Sequence, residues 1–353
     1  MVKERIAILC DSPLMRTSYS NVGLMLVNIL KDNYDIDWYA FQYIGMPLNM
    51  KDYNLISIAK PDDVKNHIKN QKYKHVIYIR NTWIFSSYGQ IEPVRLFRNT
   101  SNDIIVYSPV EEQLLPKSFF MGYGEFYDRL ITMTNTGADT IAKYGYRADV
   151  LYHYFMPEKR AYNESQDWFL NISYSQDYRK NLGMYFYLAS NFRDYKFAYF
   201  GKSAYYVLSD YVELYRIKNL LLPADIMKSN TSFNFISDKA LSQLYGASRY
   251  YIQCSYKEGF DLTSMEALVN GLVVFMPSDD LHKELFSDFP NAIFVKGGYV
   301  VPLMNQIEYF VMPQEWIETI AANTDKSKRG YRLPDKFKKE TVAKQLENIL
   351  NKA

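Results

Sequence analysis

The sequence has few of the residues that hold metals or form disulfides. Its 353 residues include only two cysteines, Cys10 and Cys254, and four histidines. Each cysteine ends or interrupts an apolar run, and neither belongs to a C-x-x-C pair, so we expect two buried free thiols. The histidines are scattered without the spacing of metal ligands. The sequence therefore predicts no structural or catalytic zinc.

The sequence also has no excess of one charge and no long apolar run. Lysines and arginines number 41 against 39 aspartates and glutamates, and this net charge of +2 indicates no nucleic-acid partner. The first apolar run has five residues before Asp11, too few for a signal peptide. No stretch approaches the roughly 18 apolar residues of a membrane helix. The expected location is the cytoplasm, and peripheral membrane contact stays open.

What the sequence does contain is the composition of a folded protein and an alternating pattern. Apolar residues make up 48% of the chain and charged residues 23%, and 353 residues suffice for two domains with separate cores. Strand-like runs at 5–10, 75–80, 103–109 and 128–134 alternate with helical patterns such as 21–30. This alternation predicts an α/β protein with a doubly wound, mostly parallel sheet.

A second alternating series follows a polar, proline-containing stretch at 155–168, which has the composition of a linker. A charged loop then precedes a last helix with one apolar face. The predicted domains are residues 1–157, residues 158–330 and a C-terminal helix at 331–353. The apolar face of that helix consists of Phe337, Val342, Leu346, Ile349 and Leu350.

One stretch combines two acids with a strand, a turn and a helix start. Residues 257–271 read KEGFDLTSMEALVNG and place Glu258 in a glycine-bearing turn and Glu266 eight positions later. With the preceding strand YYIQCS, this stretch resembles the donor-site signature of family-4 retaining glycosyltransferases of the GT-B fold, E-G-F-G-L-P-x-x-E-A-x-A-x-G-x-P-V. The features that agree are the spacing of both glutamates, Gly259, Phe260 and Gly271.

Weaker similarities extend the resemblance along the chain. Lys180, in DYRKNLG, lies where the family has a lysine before a helix, and Arg179 precedes it. In the first domain, SYSNVG occupies the place of a glycine-rich first loop, with Ser20 and Asn21 where a glycine pair is usual. Glu111 follows the strand DIIVYSP. The resemblance implies two Rossmann-like domains facing a central cleft, with the last helix packed on the first domain.

The chain also departs from the family pattern. Val110 replaces the histidine that usually follows that strand, which leaves Glu111 as the nearest polar candidate for acceptor contact or base work. Tyr174 stands where an arginine is common before the lysine, which leaves Arg179 as the candidate second cation. Asp261 replaces a glycine near the donor sugar, so we expect an effect on donor choice.

The chemistry of a nucleoside diphosphate sugar accounts for these residue types. A carboxylate accepts hydrogen bonds from both ribose hydroxyls, the role that the resemblance implies for Glu266. The resemblance also implies that a helix start at 262–264 offers amides to the diphosphate, that Lys180 stabilises its departure, and that Glu258 faces the sugar. The implied donor-binding set is Glu266, Arg179, Gly259, Phe260, Asp261, Leu262, Thr263, Ser20 and Asn21, and the implied catalytic set is Glu258, Lys180 and Glu111.

Two residues also have a local structural interpretation. TSME fits a capping box, in which Thr263 caps the helix and Glu266 bonds back to the amide of Thr263. Ribose binding and capping both stay open for Glu266 at this level. His282 follows a strand, and we expect it on the surface of a helix.

The predicted function is the retaining transfer of a sugar from a UDP-, GDP- or ADP-sugar to an unidentified glycan, lipid or protein acceptor. The resemblance implies no metal or cofactor, because lysine, arginine and the helix dipole replace magnesium. Three alternatives stay open: another GT-B enzyme such as an epimerase or a sugar-phosphate synthase, a non-catalytic nucleotide-sugar or glycan-binding protein, and a Rossmann dehydrogenase. The last is disfavoured, since no G-x-G-x-x-G follows the first strand.

Overall fold

A computed structural model gives the fold of this protein. The residues that it describes are 3–15, 17–59, 61–81, 92–101, 103–111, 114–115, 117–120, 122–156, 167–173, 178–201, 210, 212–221, 238–303, 306–324 and 332–352. The chain divides into two compact units, Met1–Tyr154 with Asp335–Ala353, and Phe155–Pro334. Each unit is built on a sheet of its own.

The first unit contains a largely parallel sheet. Its strands are β1 (Glu4–Asp11), β2 (Tyr34–Phe41), β3 (Leu48–Asn49), β4 (Asn54–Ser57), β5 (His75–Ile79), β6 (Ile104–Tyr107), β7 (Arg129–Thr132) and β8 (Ala148–Val150). In the described part of the chain they pair in the order β3-β4-β2-β1-β5-β6-β7-β8, with β3 antiparallel to β4. Strands of a parallel sheet are covered on both faces, so they need continuous apolar runs. β1 accordingly has every residue from Ile6 onward buried.

Helices connect the strands of the first unit. They are α1 (Ser18–Leu30), α2 (Pro61–Ile68), α3 (Glu92–Leu96) and α4 (Asn135–Ala142), with 3₁₀ turns at Phe97–Asn99 and Lys117–Phe120. Gly145 follows α4 and has a φ of 81°. Glycine adopts this left-handed region without steric strain, and it commonly follows a helix for that reason.

The start of α1 corrects one expectation. Thr17 caps the helix: its Oγ1 accepts a hydrogen bond from the amide of Ser20 at 3.1 Å and donates one to Asp11 at 2.8 Å. The helix therefore begins at Ser18, before the apolar pattern that starts at Asn21. The predicted first loop over SYSNVG is wrong, because a threonine cap three residues upstream of Ser20 satisfies the first amides of a helix.

The second unit has a parallel sheet and a separate hairpin. Its strands are β9 (Trp168–Ile172), β10 (Lys196–Phe200), β11 (Leu220–Leu221), β12 (Ser248–Ile252), β13 (Val273–Pro277), β14 (Ala292–Val295), β15 (Tyr299–Leu303) and β16 (Gln306–Phe310). Within the described ranges, the parallel sheet has the order β11-β10-β9-β12-β13-β14, and β15 pairs with β16 in an antiparallel hairpin. After β9, the chain adds β10 and β11 on one side of β9. It then returns and adds β12, β13 and β14 on the other side of β9. A reversal of this kind opens a crevice at the carboxyl ends of the two strands.

The helices of the second unit surround an aromatic core. They are α5 (Leu182–Asn191), α6 (Asp238–Ala247), α7 (Leu262–Val269), α8 (Asp280–Phe286) and α9 (Pro313–Ala321), with a 3₁₀ turn at Tyr178–Lys180. Phe169 stacks on Tyr250 and Phe197 with ring centroids 4.7 and 4.8 Å apart. Cys10 and Cys254 are both buried and free, as predicted. The sequence also predicts a strand at 232–237, and these residues lie outside the described ranges.

The chain ends on the first unit. A 3₁₀ turn at Asp335–Phe337 precedes α10 (Lys339–Leu350), and all five residues of the predicted apolar face are buried. Arg129 in β7 donates from Nη1 to the carbonyl of Ile349 at 2.6 Å, and it pairs with Asp103. A cation at the last turn satisfies carbonyls that the helix leaves unpaired. These contacts hold α10 against the sheet of the first unit.

Candidate functional site

Two segments of the second unit meet at the carboxyl ends of neighbouring strands. β9 and β12 pair in parallel. The turn Tyr178–Lys180 follows β9, and residues 253–261 join β12 to α7. The amide of Tyr256 donates to the carbonyl of Arg179 at 2.8 Å and so ties the two segments together. Ligands of doubly wound sheets bind at such crevices.

Glu258 is enclosed by two cations in this crevice. Its side chain is only 6% exposed, and its Oε2 accepts a hydrogen bond from Nη1 of Arg179 at 3.2 Å. Its Oε1 pairs with Nζ of Lys180. Arg179 also donates to the carbonyl of Lys257 at 3.2 Å. Tertiary structure thus brings together three side chains that the sequence resemblance placed near the donor.

The pKa of Glu258 is lowered although the group is buried. Removal from water raises the pKa of a carboxyl group, but the charges of Lys180 and Arg179 outweigh that effect, with Asp261 acting against them. Glu258 is therefore a carboxylate at neutral pH. It can accept hydrogen bonds or stabilise positive charge, and it carries no proton to donate.

An aspartate begins α7. Asp261 has φ 59° and ψ 63°, and its Oδ1 accepts a hydrogen bond from the amide of Ser264 at 3.2 Å. The predicted capping box is therefore wrong, because Thr263 is already inside the helix and Glu266 lies on its body. Aspartate tolerates the left-handed region and caps at least as well as threonine, so the helix starts two residues earlier than the box would place it.

A tyrosine holds Glu266. The hydroxyl of Tyr245 in α6 donates to Oε2 of Glu266 at 2.9 Å. Tyr245 is almost fully buried, whereas Glu266 is partly exposed. The bond orients one carboxylate oxygen of Glu266. Sequence reasoning did not identify Tyr245, since one tyrosine among 33 carries no positional signal.

A buried histidine lies between two aspartates next to the start of α7. Nδ1 of His282 is 2.6 Å from Oδ2 of Asp279, and Nε2 is 3.4 Å from Oδ2 of Asp261. Asp279 also caps α8, because its Oδ1 accepts from the amide of His282 at 2.9 Å. The expected surface position of His282 is wrong, since its side chain is fully buried. The two carboxylates offset the cost of burying a charged ring.

The same contacts set the charges in this cluster. Burial lowers the pKa of His282, but the charge of Asp279 and the contacts with Asp261 outweigh it and raise the pKa to about 10. Burial raises the pKa of Asp261, and His282 outweighs that effect and lowers it. At neutral pH the ring is an imidazolium against the carboxylate of Asp261.

The remaining predicted donor residues surround the cap of α7. Gly259 and Phe260 are buried, and the ring of Phe260 lies parallel to that of Phe155 with centroids 6.2 Å apart. Leu262 and Thr263 form the first turn and are partly exposed. Gln253, which the sequence did not single out, donates from Nε2 to Oδ1 of Asp261 at 2.7 Å.

Three predicted residues belong to the first unit. Ser20 is fully buried in α1 and donates to the carbonyl of Thr17 at 2.9 Å, while Asn21 is exposed. Glu111 follows β6 and is partly exposed, and Val110 packs in the core of the unit. The donor and catalytic roles of Ser20, Asn21 and Glu111 stay predictions. Tyr174 lies outside the described residues.

Among the residues that the structure describes, no group of three or more His, Cys, Asp and Glu side chains could hold a metal ion. Metal independence stays a prediction. No helix in the described part of the chain combines the length and apolar character needed to cross a bilayer.

The chain matches no protein-family model and no curated protein. Among solved structures, sucrose-phosphate synthase from Thermosynechococcus elongatus is 10% identical, with 98% of both chains covered and a TM-score of 0.72. WaaG, a glycosyltransferase involved in lipopolysaccharide biosynthesis, is 12% identical over 99% of this chain and 95% of that chain, with a TM-score of 0.62. The UDP-GlcNAc 2-epimerase from Neisseria meningitidis is 9% identical over 99% of this chain and 100% of that chain, with a TM-score of 0.52.

At these identities the similarity concerns the fold. It extends over nearly the whole chain in all three comparisons. The fold class predicted from the sequence is confirmed: this protein has the α/β fold of the GT-B glycosyltransferases.

Proposed function

We propose that this protein is a retaining glycosyltransferase that moves a sugar from a nucleoside diphosphate sugar to an acceptor. The observation that carries the proposal is the cluster of Arg179, Lys180 and Glu258 at the carboxyl ends of β9 and β12. The cluster is followed directly by the N-terminus of α7. Two cations, a helix start and an ionised carboxylate suit a substrate with an anionic leaving group.

The diphosphate of the donor would lie against α7 and the two cations. The first turn of a helix presents backbone amides and the positive end of the helix dipole. Lys180 and Arg179 add two full charges, of which the carboxylate of Glu258 offsets one. The net positive charge stabilises the diphosphate as it leaves, which lowers the barrier to breaking the anomeric bond.

Glu266 would bind the ribose. A carboxylate can accept hydrogen bonds from two neighbouring hydroxyls, and the Tyr245 hydroxyl fixes its orientation. The cap of α7 is Asp261, so neither Thr263 nor Glu266 occupies the cap position.

Glu258 would act on the sugar as an ionised group. Its lowered pKa suits the stabilisation of positive charge at the anomeric carbon and does not suit proton donation. In the proposed front-face reaction, the bond from the anomeric carbon to the leaving phosphate oxygen breaks, and a bond to the acceptor oxygen forms on the same face. The acceptor proton passes to the leaving phosphate oxygen, so no protein base is required.

The acceptor would bind the first unit. Glu111 is the proposed acceptor contact there. The acceptor is a glycan, a lipid or a protein, and the proposed location is the cytoplasm with peripheral membrane contact open. The proposed reaction uses no metal, because the cations and the dipole of α7 take its electrostatic role.

A binding screen tests this proposal. Thermal denaturation with UDP, GDP, ADP and their common sugars should show one base that raises the melting temperature, because a ligand of the native state stabilises it. Calorimetry should then show that Glu266→Ala weakens that nucleotide by roughly tenfold, as expected from lost hydrogen bonds to a charged group. Glu213→Ala, at an exposed position of the same unit, is the control and should bind normally. If no nucleotide binds, the proposal is wrong; if Glu266→Ala binds normally, ribose binding by Glu266 is wrong.

A second candidate function is sugar epimerisation. The observation in its favour is the similarity to an epimerase over the whole length of both chains. Product analysis with the donor found in the screen separates the two. Sugar linked to an acceptor supports transfer, an epimerised nucleotide sugar supports the second candidate, and tight binding without any product supports a non-catalytic binding protein.

A further inference from the structure

We propose that His282 is a positioning residue that offsets the negative charge of Asp261 and so keeps the start of α7 open to an anionic ligand. The inference rests on the proposed function, since the anion in question is the diphosphate of the donor. It assigns a task to a buried charge cluster that the proposed reaction does not otherwise use.

Asp261 creates an electrostatic problem for diphosphate binding. Asp261 is 4% exposed and its carboxylate accepts a hydrogen bond from the Ser264 amide, so a negative charge lies at the start of α7. A capping carboxylate stabilises the helix through the helix dipole. It also repels a second anion bound at the same helix end, and the burial of Asp261 leaves this repulsion poorly screened.

The two cations of the crevice, Arg179 and Lys180, pair with Glu258 and not with Asp261. Lys180 contributes to lowering the pKa of Asp261, but its ammonium pairs with Glu258, as does Arg179. Gln253 donates a hydrogen bond to Oδ1 of Asp261 but carries no charge. The cation that lies against Oδ2 is His282, at 3.4 Å.

The contacts of His282 keep its ring positively charged. Its other ring nitrogen is 2.6 Å from Asp279, and Asp279 itself accepts the His282 amide at the start of α8. The helix end thus contributes to stabilising Asp279, while Asp279 stabilises the ring as an imidazolium with a pKa of about 10. The positive charge is therefore present at neutral pH to offset Asp261.

This arrangement makes a prediction that depends on ligand charge. Loss of the imidazolium leaves the charge of Asp261 uncompensated. This should weaken the binding of a diphosphate and leave the binding of an uncharged nucleoside unaffected. A histidine needed only for folding would affect both ligands alike. Removing the charge of Asp261 as well should restore diphosphate binding, because the source of repulsion is then gone.

The experiment compares His282→Gln, Asp261→Asn and the double variant with the wild-type protein. Asparagine keeps the cap and tolerates the left-handed conformation of residue 261 (φ 59°). Calorimetry measures the dissociation constants of the nucleoside diphosphate found in the screen, the matching nucleoside and inorganic pyrophosphate. We expect His282→Gln to weaken both anions by roughly tenfold, as for one uncompensated charge at short range, with the nucleoside unchanged. The double variant should recover wild-type affinity for both anions.

Several outcomes would overturn the inference. They are unchanged affinity of His282→Gln for the anions, equal weakening of anion and nucleoside, and failure of the double variant to recover. If His282→Gln does not fold, the affinity of Asp261→Asn for the anions still tests the inference. This variant should bind the anions at least as tightly as wild type, and a tenfold loss of affinity would contradict the inference. A wild-type protein that binds no nucleoside diphosphate removes the proposed function and this inference together, whereas binding without the charge dependence removes the inference alone.

Discussion

Glu258 and Lys180 are 78 positions apart in the chain and form one ion pair. At the scale of single residues, this pairing decides what each group can do. The two cations keep Glu258 ionised, and Glu258 holds the cations in place before a substrate arrives. A bound diphosphate would compete with Glu258 for the same two cations.

Replacement of Glu258 by glutamine tests this competition. We expect Glu258→Gln to lower kcat on the order of 100-fold, since a charge that stabilises the transition state is lost. The dissociation constant of the nucleoside diphosphate should stay constant or decrease, because Arg179 and Lys180 lose their internal partner. Calorimetry and turnover measurements check both effects, with the exposed Glu213→Gln as control. An unchanged kcat would remove Glu258 from the reaction, and weaker nucleotide binding would contradict the competition.

His282 gives stability a defined dependence on pH. Its pKa is about 10 in the folded protein, against an ordinary value of 6.5, so the folded state binds more protons between these values. The stabilisation that Asp279 and Asp261 give the ring is complete below pH 6.5 and is lost as the pH rises toward 10. Melting temperatures of the wild type and His282→Gln should therefore converge over that range. Curves that stay parallel would show that the ring is not charged in the folded state.

Predictability at this scale depends on whether a residue belongs to a local pattern. Glu258 and Glu266 could be proposed because their spacing resembles a known signature, and Lys180 because it lies where the resembling family has a lysine before a helix. Tyr245 and His282 could not, because Tyr245 bonds to Glu266 of a neighbouring helix, and His282 contacts Asp261 at the start of α7 as well as Asp279 at the start of its own helix. His282 lies among charged residues in SDDLHKE, which is typical of an exposed helix, and burial depended on its two carboxylate partners.

At the scale of elements, α7 illustrates how both ends of a helix are specified. Asp261 begins it in the left-handed region, and Gly271 follows its last turn with a φ of 79°. The apolar pattern of the sequence located the helix within a few residues, but the choice between Asp261 and Thr263 as cap required the backbone conformation. A residue other than glycine with a positive φ leaves no distinct mark on the sequence.

Gly271 provides a test of this helix end. A Cβ at this position would meet no atom within 4 Å, so an alanine would strain only the backbone. We expect Gly271→Ala to lower the free energy of unfolding by about 1 kcal/mol. Gly271→Asn should cost less, because asparagine adopts the left-handed region more readily. Urea denaturation measures both values, and equal stability of wild type and Gly271→Ala would contradict the assigned conformation.

At the scale of the whole molecule, the chain returns to its first unit after completing the second. The helix α10, from the last part of the chain, belongs to the first unit, and Arg129 from β7 binds the end of that helix. The stability of the first unit therefore depends on the C-terminus, whereas the proposed donor site lies in the second.

Leu346→Ala tests the contribution of α10. Leu346 is 1% exposed, and truncation of a fully buried leucine costs about 2–5 kcal/mol. Limited proteolysis should show faster cleavage in the first unit, while the dissociation constant of the nucleoside diphosphate stays constant below the melting temperature. Glu347→Ala, one position along on the exposed face, should change neither property. Equal cleavage of Leu346→Ala and wild type would mean that α10 does not support the first unit.

The sequence by itself determined the α/β class, most strands, the apolar face of α10 and the buried state of both cysteines. These features follow from periodicity and apolar runs, which are properties of short stretches of chain. It also pointed to Glu258 through spacing that resembles a known signature, and to Lys180 and Arg179 through their position before a helix. Only the tertiary structure decided that these three pair, that Asp261 caps α7, that α1 begins at Ser18 and that His282 is buried. Each of these depends on groups brought together from separate elements or on a backbone angle, and the free energy of such contacts is set by burial and charge that no local pattern records.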